Sequence, residues 1–441
     1  MRKRILIIFI TAVLVVFFAY TYLHSDRGRV LDRTRTVFVD KIDNRFQLYR
    51  NGEPFYIKGG SGTGYLKEMS EAGGNTLRVY DTLNLKAILD EAEKFDIAVI
   101  VDIPLPTNAH HKTYYSNDTI VINLKEKVKN LVNQYKDHPS ILMWNLGNEL
   151  NFPLTFRKNN FIQVFNDLVD LIHEEDPNHL ISTTISGTSI SQILGIHLSA
   201  PKLDIIGFNV FSIISNVKPV MDQVGLIVDP LPYYISEWGN TGPWEVPVNL
   251  WKAILEPSST LKSDSYKVNY LSGIKSDLNC LGSLAFYWGY KHEGTPTWFN
   301  IFDEEGRKSE MYYQLQSLWM ERPLTITYIP RIEKLTLNNL ESNDQIFVSN
   351  SYIEVQINMM NPINSNLTFD IKVFNEAWGA KRWGSEIDAL QLSTITSTYS
   401  NKMKFKVPEK EGPYRVFVSV NDSQGNFATA NMPFYVLNDR E

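Results

Sequence analysis

The amino-acid sequence predicts an α/β protein: a (β/α)8 TIM barrel followed by a C-terminal Ig-like β-sandwich, with an N-terminal transmembrane or signal-anchor helix. Three observations carry that expectation. Eight short apolar, β-branched runs alternate with helix-period segments between residues 55 and 290. Past about residue 325 the helical period stops, and alternating strands split by Asn, Pro and Gly turns take over. Residues 5–23, ILIIFITAVLVVFFAYTYL, hold no charge and follow Met1-Arg2-Lys3-Arg4.

Taken in order, residues 1–23 read as a signal-anchor or signal peptide. The apolar stretch approaches the roughly 20 residues needed to span a bilayer. A cleaved signal has a shorter apolar region and small residues before the cut, whereas Ala19 and Thr21 sit among Phe, Tyr and Leu. The basic cluster would remain cytoplasmic, so the body of the protein is expected to be membrane-anchored and extracytoplasmic, or secreted. Residues 24–36 are polar and basic and read as a linker. The barrel domain is assigned to residues 37–324 and the sandwich to 325–441. The barrel domain opens with a hairpin that turns at Asn51-Gly52, because both positions of such a turn favour a positive φ.

The eight barrel strands are expected at 55–59, 76–81, 97–105, 141–149, 180–186, 203–212, 233–239 and 281–290. Segments such as LNLKAILDEAEKFD and LKEKVKNLVNQYKDH lie between them, with apolar residues at three- and four-residue spacings. NFIQVFNDLVDLIHEEDP stops at Pro177. An open doubly wound sheet is the rival fold. The count of eight, and the absence of a Gly-rich phosphate loop after the first strand, favour the barrel.

Composition narrows the function. The formal net charge is −6, with no basic excess to attract nucleic acid. The single cysteine, Cys280, rules out an internal disulfide or a cysteine-built metal site. No metal and no cofactor are expected. His110 and His111 adjoin each other in the loop after strand three without the further ligands at fixed spacing that a metal needs. Aromatic residues make up 12% of the chain, which suits either a large core or stacking on sugar rings.

In such a barrel the C-terminal strand ends carry the chemistry. Those ends offer Arg78, Tyr80 and Asp81 on strand two, Asp102 on strand three, and Asn145, Asn148 and Glu149 on strand four. Strand six offers Asn209, strand seven Glu237 and Trp238, and strand eight Tyr287, Trp288 and Tyr290. Strands four and seven lie nearly opposite, so Glu149 and Glu237 can converge on one ligand. A carboxylate pair flanking a glycosidic bond is the equipment for its hydrolysis, one donating a proton and the other attacking or activating water. The alternative for each is an ordinary ion-pair partner.

WNLGNEL at 144–150, ISEWG at 235–239 and GGNTLRVYD at 73–81 resemble glycoside hydrolase clan A, and within it the family 2 barrel. There is also similarity to β-1,3-glucanosyltransferase barrels in GGNTLRVYD, IIGFNVFS and AEKFDIAVIVDI. The resemblance spans about residues 45–320. It implies a retaining glycosidase acting on a β-linked glycan, with β-glucan the suggested substrate, or a transglycosylase with the same residues. It implies Glu149 as acid/base, Asn148 as the amide bonding the sugar 2-hydroxyl, Glu237 as nucleophile, Arg78 as its partner and Trp288 as the aromatic platform. Asp81, Asn209 and Trp238 complete the expected substrate-binding set. One departure stands out. Many such barrels end strand six with a tyrosine whose hydroxyl bonds the nucleophile, and Phe211 fills that place here. Tyr233, Tyr234 and Tyr287 are candidate substitutes. A degenerate barrel that binds glycan without cleaving it is the competing reading. The expected partners are therefore an oligo- or polysaccharide and, through the N-terminal helix, a membrane.

Overall fold

The computed structural model describes residues 33–438 except 44, 107–110, 156–158, 325–328, 362–366, 377–390 and 398–399. The expected membrane segment 1–23, most of the linker, His110, and two tryptophans of the sandwich, Trp378 and Trp383, lie outside the described residues. Among the described residues no helix is long and apolar enough to cross a membrane.

Three strands, β1 (Val37–Ile42), β2 (Arg45–Arg50) and β3 (Glu53–Phe55), form an antiparallel sheet. Asn51 and Gly52 turn the hairpin with φ of 54° and 80°, as an Asn-Gly pair permits and most residues do not. Val37, Val39 and Leu48 pack with Ala98, Leu142, Leu180, Ile205 and Leu281, residues at or near the N-terminal ends of the barrel strands. The hairpin therefore plugs the end of the barrel opposite its strand C-termini.

Eight parallel strands close the barrel: β4 (Ile57–Gly62), β5 (Thr76–Val79), β6 (Ala98–Ile103), β7 (Ile141–Leu146), β8 (Leu180–Ser186), β9 (Ile205–Asn209), β10 (Tyr233–Trp238) and β11 (Cys280–Trp288). Each falls on an expected apolar run. Strands such as β6, β7 and β11 are buried along their whole length, because a parallel sheet is covered on both faces. The helix Asn160–Glu175 buries Phe161, Val164, Phe165, Leu168, Val169 and Ile172 on one stripe. Asn159 caps it, its side-chain oxygen accepting from the Phe161 N–H.

The chain divides into two compact units. One holds the residues up to Ser61, Asn75–Trp238 and Ser272–Leu284; the other holds Gly62–Gly74, Gly239–Leu271 and Ala285–Glu441. The second unit contains two C-terminal sheets. A three-stranded sheet runs β12 (Ile332–Leu337), β14 (Tyr352–Met359), β17 (Lys402–Lys406). A five-stranded sheet has the order β13 (Ile346–Val348), β19 (Phe427–Leu437), β18 (Gly412–Asp422), β15 (Leu367–Asn375), β16 (Gln391–Ser397). Leu335, Val355 and Phe405 of the first sheet share one core with Phe369, Val418 and Phe434 of the second.

A buried polar cluster lies in this unit. Lys262 Nζ donates to Glu256 Oε1 at 2.5 Å and to the Thr297 carbonyl at 2.7 Å. Asn431 Nδ2, on β19, donates to Glu256 Oε2 at 2.6 Å. Arg415, on β18, reaches Asn431 Oδ1, Glu376 and the Ile254 carbonyl. Burial lowers the Lys262 ammonium, and the Glu256 charge offsets part of that.

Cys280 opens β11 and is buried at 3% exposure. Burial pushes its thiol up to about 12, so almost none is thiolate near neutrality. Iodoacetamide at about pH 8 should leave the native protein unlabelled and label it fully in guanidinium, as read by intact mass. Labelling at equal rates in both conditions would contradict the burial.

Candidate active site

Polar side chains from seven successive barrel strands meet near the strand C-termini, and Arg78 of β5 lies at their centre. It has no exposed surface. Its Nε and Nη2 donate to Asp102 Oδ1 and Oδ2 at 3.0 and 2.7 Å, a two-toothed pairing with the neighbouring β6. Nη1 donates to Glu237 Oε1 at 3.0 Å across the barrel, and Nη2 also to Asn148 Oδ1 at 2.7 Å. Burial works against the charged guanidinium, but Asp102, Tyr80 and Glu237 together outweigh it and raise Arg78 well above its ordinary value. Burial raises the Asp102 carboxyl, and Arg78 and Asn145 offset part of the shift.

The surrounding strands hold this group in place. Asn145 Nδ2 donates to Asp102 Oδ1 at 2.8 Å, and Asn145 Oδ1 accepts from Ser182 Oγ at 2.8 Å. Ser61 Oγ donates to the Ser236 carbonyl at 2.8 Å. The parallel register sets Asp102 beside Asn145, Asn145 beside Ser182 and Asn209 beside Glu237. Short polar residues at matching heights on adjacent strands therefore face one another.

Glu237 is buried at 6% exposure. Its Oε1 also accepts from the Tyr80 hydroxyl at 3.0 Å. The Arg78 guanidinium lies 4.8 Å from the Tyr80 ring centroid, so ring and hydroxyl serve the same ion pair. Burial and the Glu237 charge raise the Tyr80 phenol well above its usual value, leaving it a proton donor. The hydroxyl missing at Phe211 thus arrives from the end of β5. The three tyrosines expected as substitutes bond elsewhere: Tyr233 with Asp277, Tyr234 with Ser182 Oγ at 3.3 Å, and Tyr287 with Thr63 at 3.4 Å.

Glu149 follows β7 and is exposed. Asn209 Nδ2 donates to its Oε1 and to Asn148 Oδ1, each at 3.1 Å. Asn209 Oδ1 accepts from Ser236 Oγ at 2.7 Å. Asn148 Oδ1 therefore takes three donors: Arg78, Asn209 and Thr184 Oγ1, the last at 2.9 Å. That saturates the oxygen and fixes the amide. Glu149 has φ of 52° and Gly147 has 77°. A left-handed glutamate persists only where its surroundings hold it, at a cost of about 1–3 kcal/mol. Here the Glu149 N–H donates to Thr184 Oγ1 at 3.3 Å and the Leu150 N–H to the Thr184 carbonyl at 3.3 Å.

Other expected residues lie differently. Asp81 is exposed, and its Oδ1 accepts from the Leu83 N–H at 2.8 Å, so it shapes the turn after β5. Trp288 and Trp238 are fully buried, and a sugar platform needs an open face. Trp288 donates from Nε1 to the Tyr65 carbonyl and packs among Phe302, Tyr312 and Trp319. Its ring points to the helix Glu310–Met320 on the outside of the strand. This corrects the platform role of Trp288 and the substrate contact expected of Trp238. Thr184 and the hydroxyl role of Tyr80 were missed, although Thr184 sits in the run LISTTIS, where four hydroxyl residues, three of them consecutive, are themselves a signal in an apolar strand. Among the described residues no group of three or more His, Cys, Asp or Glu forms a metal site.

A closed barrel with acidic residues at the ends of its fourth and seventh strands, the seventh-strand acid paired with an arginine on the second, has the layout of a glycosidase-type barrel. Comparison with known proteins agrees. Residues 75–241 match the family model of glycosyl hydrolases family 2, TIM barrel domain, so this segment is similar to that domain. It is 22% identical to a putative beta-glucuronidase of Formosa agariphila, over 47% of this chain and 29% of that protein. The fold is similar to that of the beta-D-glucuronidase of Dictyoglomus thermophilum, with a TM-score of 0.52 and 16% identity over 66% of this chain and 54% of that one. It is likewise similar to the beta-glucuronidase of Ruminococcus gnavus, with a TM-score of 0.51 and 14% identity over 65% and 53%. The chain spans less than a third of the curated relative and about half of these solved structures.

Two substitutions test the geometry. Arg78→Leu leaves Asp102 and Glu237 buried without their cation and should cost about 3–5 kcal/mol in urea unfolding. Thr184→Val keeps the shape but removes the hydroxyl shared by Asn148 and the Glu149 N–H. It should leave the melting temperature within a few degrees and lower kcat/KM by about 10²-fold, the scale of a 1 Å misplacement. A large stability loss with unchanged activity would assign Thr184 to packing alone.

Proposed function

We propose that this protein is a retaining glycosidase that cleaves a β-linked glycan by double displacement. The observation that carries the reading is the pair of contrasted carboxylates. Glu237 is buried and accepts from a cation and a phenol, the donors a carboxylate needs inside a protein. Glu149 is exposed at a strand end and hooked by the Asn209 amide. In the first step the Glu237 carboxylate attacks the anomeric carbon, the bond to the leaving oxygen breaks, and Glu149 gives that oxygen its proton. The product is a glycosyl ester of Glu237. In the second step Glu149 takes a proton from water, the water oxygen attacks the anomeric carbon, and the ester bond breaks. Asn148 Nδ2 supplies the donor to the 2-hydroxyl. Tyr80 and Arg78 hold the attacking group and keep it ionised until the ester forms.

A neutral sugar, with β-glucan the first candidate, is favoured over a uronate. Arg78, the cation of the described cluster, is already neutralised by Asp102 and Glu237. The relative's description as a putative beta-glucuronidase makes glucuronides the comparison substrate. Transglycosylation differs only in that a sugar hydroxyl replaces water in the second step. The kinship of GGNTLRVYD to glucanosyltransferase barrels favours testing it. The uncharged stretch 5–23 after a basic cluster supports an extracytoplasmic, membrane-anchored body.

Purified protein should hydrolyse aryl β-glucoside faster than aryl β-glucuronide, read as the phenol released. Glu237→Gln should abolish turnover. Glu149→Ala should slow it by about 10²–10⁴-fold, and added azide should restore rate with formation of a β-glycosyl azide. No product from any aryl β-glycoside or β-glucan oligosaccharide, with binding intact, would favour the glycan-binding alternative.

A further inference from the structure

We propose a second saccharide site in the second unit, on a cavity that shares no residue with the carboxylate cluster. The cavity encloses about 420 Å³, within the 300–1,000 Å³ range of small-ligand sites. One wall is the segment after β11, from Tyr290 to Arg307. The other is the face of the five-stranded sheet that points away from the shared core.

That face has an unexpected composition. Along β15 the core side carries Phe369, Ile371 and Val373, and along β18 Val416, Val418 and Val420. Period-two alternation sends Asp370, Lys372 and Phe374, and Phe417, Ser419 and Asn421, to the opposite side. An outer sheet face is ordinarily polar, yet Phe374, Phe417 and Phe427 all line this cavity. Phe374 meets Phe417 edge to face at 5.6 Å. Rings set among amides, hydroxyls and carboxylates are what a pyranose requires, because its C–H faces are apolar and its rim is polar. The choice of a saccharide rests on the glycosidase reading above; the recognition chemistry is the cavity's own.

Both walls are held in place. The Lys308 N–H donates to the Gly425 carbonyl at 2.9 Å, and the Phe427 N–H to the Lys308 carbonyl at 3.0 Å. The Tyr313 hydroxyl donates to Asn426 Oδ1 at 2.6 Å. Ligand binding therefore meets a preformed shape, which lowers its ordering cost. Charge selects the ligand further. Among the described lining residues, Asp303, Glu304, Glu305 and Asp370 outnumber the cations Arg307 and Lys372, and Arg307 is paired with Asp303 at 2.5 Å and Glu305 at 2.7 Å. An acidic lining repels uronates and sulfated sugars, so the ligand is a neutral oligosaccharide.

The test uses the full chain carrying Glu237→Gln, so that turnover plays no part, titrated calorimetrically with laminarihexaose and with cellohexaose. At least one should bind at two classes of site. Phe374→Ala, and separately Ser419→Trp to fill the cavity from its open side, should each weaken one class at least tenfold and leave the other unchanged. In the otherwise native chain, the same two changes should leave aryl β-glucoside kcat/KM unchanged. Ser419→Trp keeps the test decisive if Phe374→Ala lowers the melting temperature. A single class that both variants leave intact would overturn the proposal, as would oligogalacturonate binding that both variants abolish. Cavity binding in a protein that hydrolyses nothing would sustain this site and defeat only the glycosidase reading.

Discussion

The barrel's polar interior depends on one buried cation. Arg78 is enclosed, and its guanidinium donates four bonds to partners on other strands: two to Asp102 on β6, one to Asn148 after β7 and one to Glu237 on β10. A lone guanidinium in this position would be prohibitively costly to desolvate, and so would either carboxylate. The three are tolerable together because each satisfies another with near-ideal geometry. Two acids against one base leave the group one negative charge in excess, and the phenol of Tyr80 spreads that charge without cancelling it. The same arrangement that makes burial possible holds Glu237 in place as a carboxylate.

Support comes from residues with no charge. Asn145, Ser182, Thr184, Asn209 and Ser236 each bond at least one member of the cluster or a neighbour that does. They are short, so their rotamers are few, and they sit on parallel strands whose relative heights the backbone ladder sets. Elsewhere the second unit uses the same device. Lys262 and Glu256 are buried as a pair and tied through Asn431 and Arg415 to the C-terminal strands.

Most of the fold was legible because both periodicities are strong. Eight apolar runs became eight strands, and Asn51-Gly52 became a hairpin turn. Arg78, Asn148, Glu149, Asn209 and Glu237 were legible as polar residues at strand ends, where a barrel concentrates them. What escaped was direction. Trp288 and Glu237 both end buried strands, and nothing in a local run says which end residue turns inward. Trp288 turns outward to Tyr312 and Trp319, while Tyr80, two residues beyond Arg78, turns back over it. Such choices are made by neighbours distant in sequence. Thr184 escaped for another reason: its partners lie on a different strand, and a buried threonine reads as ordinary β-propensity.

The unusual backbone of Glu149 has a corollary. Its peptide is pinned to Thr184 on the adjacent strand, and Leu150 is sunk into the core immediately afterwards. The Glu149 carboxyl is thereby mechanically insulated from whatever chain comes next. A change in the length of the loop beyond Leu150 is therefore taken up past that anchor, and the Glu149 backbone keeps its place.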